Sequence, residues 1–258
     1  MPENWLIPDW PVPAGVHALC STRAGGCSLG PYAGLNLGDH VGDAPDSVAA
    51  NRAAFARAMG ARPLFLNQIH GIDVAAIDEA SADGIAADAA LTEKPGLACT
   101  VMVADCLPVL FSDRRGLRVA AAHAGWRGLV GVDGTGVLEQ TVRSLLMDNP
   151  GADSAADLLV WLGPCIGPVV FEVGSEVRDP FVAHDAAAAQ RFRLVADGKW
   201  LADLAGLARQ RLQALGLNRI FGNDSSEAWC TVANPGRFFS YRRDRVCGRF
   251  AASIWRQD

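Results

Sequence analysis

The sequence predicts an α/β protein with mixed strand directions, folded as one domain over residues 1–258. Three observations predict it. Short β-type runs alternate with helical stretches along the whole chain. The 258 residues are 50% hydrophobic and 20% charged, enough to bury a sizeable core. No repeat, long linker or change of composition divides the chain.

The elements follow in order. Asp46 reads as the cap of a helix running to Met59, with Val48, Ala49, Phe55 and Met59 on its apolar side and Gly60 ending it. Pro63 to His70 reads as a strand closed by Gly71. Leu97 to Val103 is β-like and Pro108 to Phe111 continues extended; Ser112-Asp113-Arg114-Arg115-Gly116 then turns the chain into an antiparallel partner, Leu117 to Ala122. A glycine-rich start after His123 leads into one helix ending near Met147. Leu158 to Leu162 is a buried strand. Ala183 to Ala189 is a loop or short helix. Leu201, Leu204, Leu207, Leu212 and Leu215 share one face of a helix stopped by Gly216. Ile220-Phe221 and Ser240-Tyr241 read as late strands.

Composition removes several function classes. Acidic residues outnumber basic ones 28 to 23, which does not suit a protein that wraps nucleic acid. Apolar runs are short, and Asp105 interrupts the best of them, so no membrane span is expected. The N-terminal segment has no basic stretch leading into an apolar one, so a cytosolic protein without a secretory signal is expected. Seven cysteines with no CxxC pair point to reduced thiols and exclude a zinc ribbon. Only Lys94 and Lys199 are lysines, so the basic residues are almost all arginines.

The chemistry-bearing residues are few. Of five histidines, His70 and His123 each end a predicted strand before a small residue, and Cys106 follows a third. Strand ends side by side in one sheet would converge these three side chains. His2Cys is a ligand set of catalytic zinc, with the fourth position left for water or substrate. Spacing alone leaves other readings open: core packing, or a metal-free Cys106 thiolate with His123 as its base. Arg127, at the mouth of a helix, and Arg23, beside flexible backbone, are anion-binding candidates, and Asn36 places an amide in a turn. Arg242-Arg243-Asp244-Arg245 reads as a solvated face.

Taken together, the motifs resemble the YfiH/laccase-domain family. Asn67-Gln68-Ile69-His70-Gly71, Ala104 to Leu110, Ala121 to Gly128 and Gly163-Pro164-Cys165-Ile166-Gly167 carry the resemblance, with Ser21 to Gly26 and Asn234 to Asp244 as outer landmarks. The resemblance implies a single-domain α/β sandwich, similar in architecture to cysteine hydrolases, and a zinc held by His70, Cys106 and His123. Copper is a possible occupant of the same ligands. Cys165 is expected to be structural.

Three activities are attached to this resemblance. A multicopper laccase needs many histidines, usually in His-x-His pairs; five histidines without such a pair do not supply them. Purine nucleoside chemistry combines phosphorolysis of adenosine, inosine and methylthioadenosine with adenosine deamination, and makes nucleoside and phosphate the small-molecule partners. In that scheme Arg23 and Arg127 hold the anion, Asn36 contacts substrate, and Asp105 exchanges a proton if burial raises its pKa. Amide hydrolysis on a peptidoglycan precursor at the same centre is the alternative. A structural zinc in a non-enzymatic module is a further one, against which stands the four-ligand rule for such sites.

Overall fold

The computed structural model describes residues 4–147, 149, 151–152 and 154–257. In chain order it contains β1 (Val16–Cys20), α1 (Pro45–Met59), β2 (Arg62–Phe65), β3 (Val74–Ala76), β4 (Ala89–Thr92), β5 (Leu97–Val103) and β6 (Leu107–Asp113). Next come β7 (Val119–Ala124), α2 (Trp126–Val130), α3 (Val137–Leu146), β8 (Leu158–Leu162), β9 (Glu172–Gly174) and α4 (Ser175–His184). The chain closes with β10 (Phe192–Ala196), β11 (Lys199–Ala202), α5 (Leu204–Ala214), β12 (Ile220–Gly222), α6 (Tyr241–Asp244) and β13 (Phe250–Arg256).

Two sheets face each other. A four-stranded sheet runs β1-β13-β5-β2 and a six-stranded sheet runs β12-β8-β6-β7-β4-β3, with a small β10-β11-β9 sheet beside them. Directions are mixed: β2 lies parallel to β5 whereas β13 lies antiparallel to it, and β12 lies parallel to β8 whereas β6 lies antiparallel. The expected α/β fold with mixed strands is therefore present, as a sandwich.

Alternation along the strands builds the layers. Leu97, Cys99, Val101 and Val103 of β5 join Leu110 of β6, Ala121 of β7 and Phe250 of β13 between the sheets. The other face of β5, Ala98 and Met102, packs with Phe55 and Met59 of α1. Leu107, Val109 and Phe111 of β6 and Ala120, Ala122 and Ala124 of β7 pack outward with Val137, Leu138, Leu207 and Leu212 of α3 and α5. Central strands buried on both faces explain why β5, β6 and β8 read as apolar runs rather than alternating ones.

Several expected elements differ. Pro45, not Asp46, opens α1; Ala44 is the N-cap, and Asp46 sits in the first turn, where its charge complements the helix dipole. Gly60 ends α1 with φ 65° as expected. The strand from Pro63 stops at Phe65, and His70 lies on the following loop with φ 60°. The single helix expected after His123 is two helices, α2 and α3. Gly131 turns the chain back with φ 67°, and a Cβ there would meet the Thr135 carbonyl oxygen at 1.9 Å. Leu201 belongs to β11, because Asp203 caps α5 by accepting from the Gly206 N–H. Ser240 likewise caps α6 by accepting from the Arg243 N–H, which replaces the strand expected there. The Ala-rich patch covers the end of α4 and a 3-10 turn over Ala186–Arg191.

Candidate metal centre and its cleft

His70, Cys106 and His123 come together, with their donor atoms within 4.8 Å of one another. They do not converge from strand ends in one sheet. His70 lies on the loop after β2 of the four-stranded sheet, and His123 is the penultimate residue of β7 in the six-stranded sheet. Cys106 sits where the chain crosses from β5 of one sheet to β6 of the other. The cluster is a seam between the sheets. In β7 the parity that sends Val119 and Ala121 between the sheets sends His123 there too.

Asp88 holds the seam together. Its carboxylate is fully buried and takes four hydrogen bonds. The backbone N–H groups of Ile69, His70 and Gly71 donate to it at 3.1, 3.0 and 2.7 Å, and His123 Nδ1 lies 2.8 Å from its Oδ1. One acidic side chain thus fixes both the loop that carries His70 and the ring orientation of His123. His123 Nδ1 is engaged by Asp88, which leaves Nε2 as the donor for a metal. Gln68 pins the same loop to β5, accepting from the Met102 N–H and donating to the Met102 carbonyl, each at 2.8 Å. The motif-level mark of Asp88 is slight: a lone carboxylate in Ala86-Ala87-Asp88-Ala89-Ala90, an acidic residue where an apolar run wants none.

Electrostatics set the protonation of the cluster. Burial opposes ionisation of the Cys106 thiol, but the imidazoles of His123 and His70 outweigh it and bring the thiol down to about 6. Burial likewise opposes charge on His123, yet the Cys106 sulfur and the Asp88 carboxylate raise its pKa to about 9. Asp88 itself stays below the usual carboxylate range, because its hydrogen bonds and the His123 charge outweigh burial. A thiolate and two imidazoles suit zinc or copper, and three donors beside an open cleft match the pattern of a catalytic rather than a closed structural site. Gly125 leaves room for the cluster: a Cβ there would stand 2.9 Å from Cys106 Sγ and 3.1 Å from His70 Cδ2.

The three side chains open into a cleft of about 400 Å³. Trp126, Phe171 and Tyr241 give it flat apolar surface, while Asp105, Arg242, Arg249 and His40 supply its charge and polarity. Asp105 has φ 102° and accepts from the Thr231 hydroxyl (2.5 Å) and the Arg242 N–H (2.6 Å), which ties β5 to the chain leading into β13.

The other sequence candidates lie elsewhere. Arg23 does not line the cleft; it donates to the Pro235 and Ala33 carbonyls and stacks over Phe239. Arg127 is exposed and lies over the Trp126 ring, outside the cleft lining. Asn36 is fully buried, with its side-chain amide spent on Gly38, Asp43 and the Arg249 N–H. Arg242, expected on a solvated face, lines the cleft. Cys165 is buried beside Asn223 and Cys230, away from the cluster.

Comparison with known proteins places this geometry in a lineage. A family model described as multi-copper polyphenol oxidoreductase laccase matches residues 17–257. Purine nucleoside phosphorylase PA4543 of Pseudomonas aeruginosa is 50% identical over 98% of this chain and 99% of its own. Purine nucleoside phosphorylase YfiH of Escherichia coli is 50% identical over 97% and 98%. Among solved structures, protein NMB0706 of Neisseria meningitidis superposes with a TM-score of 0.91 at 44% identity, covering 99% of this chain and all of that one. YlmD of Geobacillus stearothermophilus gives 0.88 at 29% identity, covering 100% and 98%. With a family model spanning nearly the whole sequence and relatives half identical from end to end, the chain belongs to the laccase-domain family to which the YfiH proteins belong.

Proposed function

We propose that this protein is a zinc-dependent purine nucleoside phosphorylase, with adenosine deamination as a second activity, acting in the cytosol. The observation that carries the reading is the His70–Cys106–His123 cluster opening into a cleft with aromatic walls and arginine groups. The relatives' names support the nucleoside and phosphate as substrates. Among the described residues no helix is long and apolar enough to cross a membrane.

His70, Cys106 and His123 would hold the ion, which when bound supplies a Lewis acid to an oxygen of the substrate pair. The remaining work belongs to the chain. Trp126, Phe171 and Tyr241 offer flat apolar surface to a purine and keep water from the bond to be broken. Phosphorolysis forms a bond from a phosphate oxygen to the ribose carbon and breaks the carbon–nitrogen bond to the base. Asp105 borders this space, its oxygens accepting from the Thr231 hydroxyl and the Arg242 N–H, and is our candidate for exchanging a proton with the departing base. Asp88 keeps His123 in one tautomer and holds the His70 loop throughout.

The lowered Cys106 thiol and raised His123 favour a second reading, a cysteine hydrolase that needs no metal and cleaves an amide such as that of a peptidoglycan precursor. Mass spectrometry of products from zinc-loaded protein with adenosine and phosphate tests the first. Adenine with ribose 1-phosphate, or inosine with ammonia, lost in Cys106→Ala, is the expected result; no turnover overturns it. His70→Ala separates the readings: activity and metal are lost together under the first, whereas the second keeps full activity without metal.

A further inference from the structure

We infer that Arg242, Arg249 and His40 form an oxyanion subsite of the cleft, where inorganic phosphate sits as co-substrate. The inference rests on the phosphorylase reading and gives its anion a place. All three side chains line the same cleft as Cys106 and His123.

Each of the two guanidinium groups is held through its Nη1 nitrogen by backbone carbonyls. Arg242 is tethered through its backbone N–H to Asp105 and through Nη1 to the Glu172 carbonyl at 2.9 Å, and its head lies over Phe171. Arg249 directs Nη1 to the carbonyls of Cys247 and Gly248, both at 3.1 Å. Its stem runs against Gly38, where a Cβ would come within 2.8 Å of Arg249 Cγ. Among the described residues the other guanidinium N–H groups of both have no protein acceptor, and neither head is paired with a carboxylate. Elsewhere the half-buried Arg52 is paired with Asp39 and the buried Arg211 with Glu139, while the half-buried Arg23 and Arg209 each spend two guanidinium nitrogens on backbone carbonyls. His40 stands beside Arg249, and burial together with that guanidinium holds its imidazole below the ordinary value, with Asp39 partly offsetting them.

Two unpaired, half-buried planar cations at one cleft call for an anion with several oxygens, which a guanidinium fork recognises two at a time. A tetrahedral oxyanion fits that chemistry, and in a phosphorylase the ligand is phosphate. Arg23 and Arg127 do not offer this arrangement, because neither lines the cleft.

The test compares zinc-loaded full-length protein with Arg242→Gln, Arg249→Gln and the exposed α1 control Arg57→Gln. Steady-state kinetics are varied separately in nucleoside and phosphate. Calorimetric titration with inorganic phosphate, without nucleoside, reads binding independently of turnover. Loss of a charge-assisted fork is expected to raise KM for phosphate and weaken phosphate binding by about tenfold or more in each cleft variant. KM for nucleoside should stay within about twofold, zinc content should be unchanged, and Arg57→Gln should match the parent on all counts. Because Arg249 also braces two carbonyls, Arg249→Lys and a thermal melt separate loss of the fork from loss of the fold. Unchanged phosphate affinity in both cleft variants, or equal losses for both substrates, overturns the subsite. Phosphate binding that the cleft variants lose, in a parent without phosphorolysis, keeps the subsite and removes the phosphorylase reading.

Discussion

Asp88→Asn is the sharpest perturbation of this centre, because shape is kept while charge and one acceptor are removed. Asp88 Oδ2 accepts from the Ile69 and Gly71 N–H groups, and Oδ1 accepts from the His70 N–H and faces His123 Nδ1. Whichever oxygen becomes an NH2 group, two of the four donors lose their acceptor and meet another donor. At about 1.5–3 kcal/mol for each hydrogen bond to a charged group, a rigid site would lose about 3–6 kcal/mol. Movement of the His70 loop relieves part of this, so about 2–4 kcal/mol is expected in urea unfolding of the metal-free protein. Removing the carboxylate behind His123 should also weaken zinc about 10- to 100-fold, read by competition with a chromogenic chelator. Zinc affinity within twofold of the parent, with a stability loss under about 1 kcal/mol, would refute the claim that Asp88 organises the centre.

Three further outcomes are expected. Gly125→Ala, at an ordinary β-region backbone angle, should fold but lose zinc affinity at least about tenfold, because its methyl would press on Cys106 Sγ and His70; full metal content after dialysis against a weak chelator would contradict this. In metal-free protein with the exposed Cys27 changed to Ser, alkylation of Cys106 should be level from about pH 7 to 9 and fall as pH drops through about 6, and zinc should suppress it; a rate still climbing steeply toward pH 9 would show an ordinary thiol. The linkage agrees in sign. The depressed Cys106 pKa contributes stability that is lost as pH falls through about 6, and the raised His123 pKa contributes stability that is lost as pH rises through about 9, so the charged pair belongs to the interval between. Ala121→Val, which adds volume between the sheets at a fully buried position, should cost about 1–3 kcal/mol in urea unfolding without changing zinc content; no loss would mean the sheets are not in close contact there.

Much of this protein is legible from its residues alone. Apolar runs located β5, β6 and β8, since a strand buried on both faces has nowhere to place a polar side chain. Gly60 marked the end of α1 because a left-handed position there favours glycine. The identities of His70, Cys106 and His123 stand in motifs whose chemistry suits a metal, and their proximity agrees with that reading. Tertiary structure alone decided the rest. His70 lies on the loop that crosses from β2 of one sheet to β3 of the other and His123 lies within β7, a convergence that depends on how the sheets stack rather than on local pattern. Asp88 is an unremarkable acid in an alanine-rich stretch until folding surrounds it with four donors. Arg23, Arg127 and Arg242 have the same intrinsic chemistry; packing spends Arg23 on carbonyls, leaves Arg127 in solvent and brings Arg242 to the cleft. Local periodicity is written in neighbours along the chain, whereas burial and charge pairing are settled by residues far away in it, and the functional roles of the arginines and of Asp88 belong to the second kind.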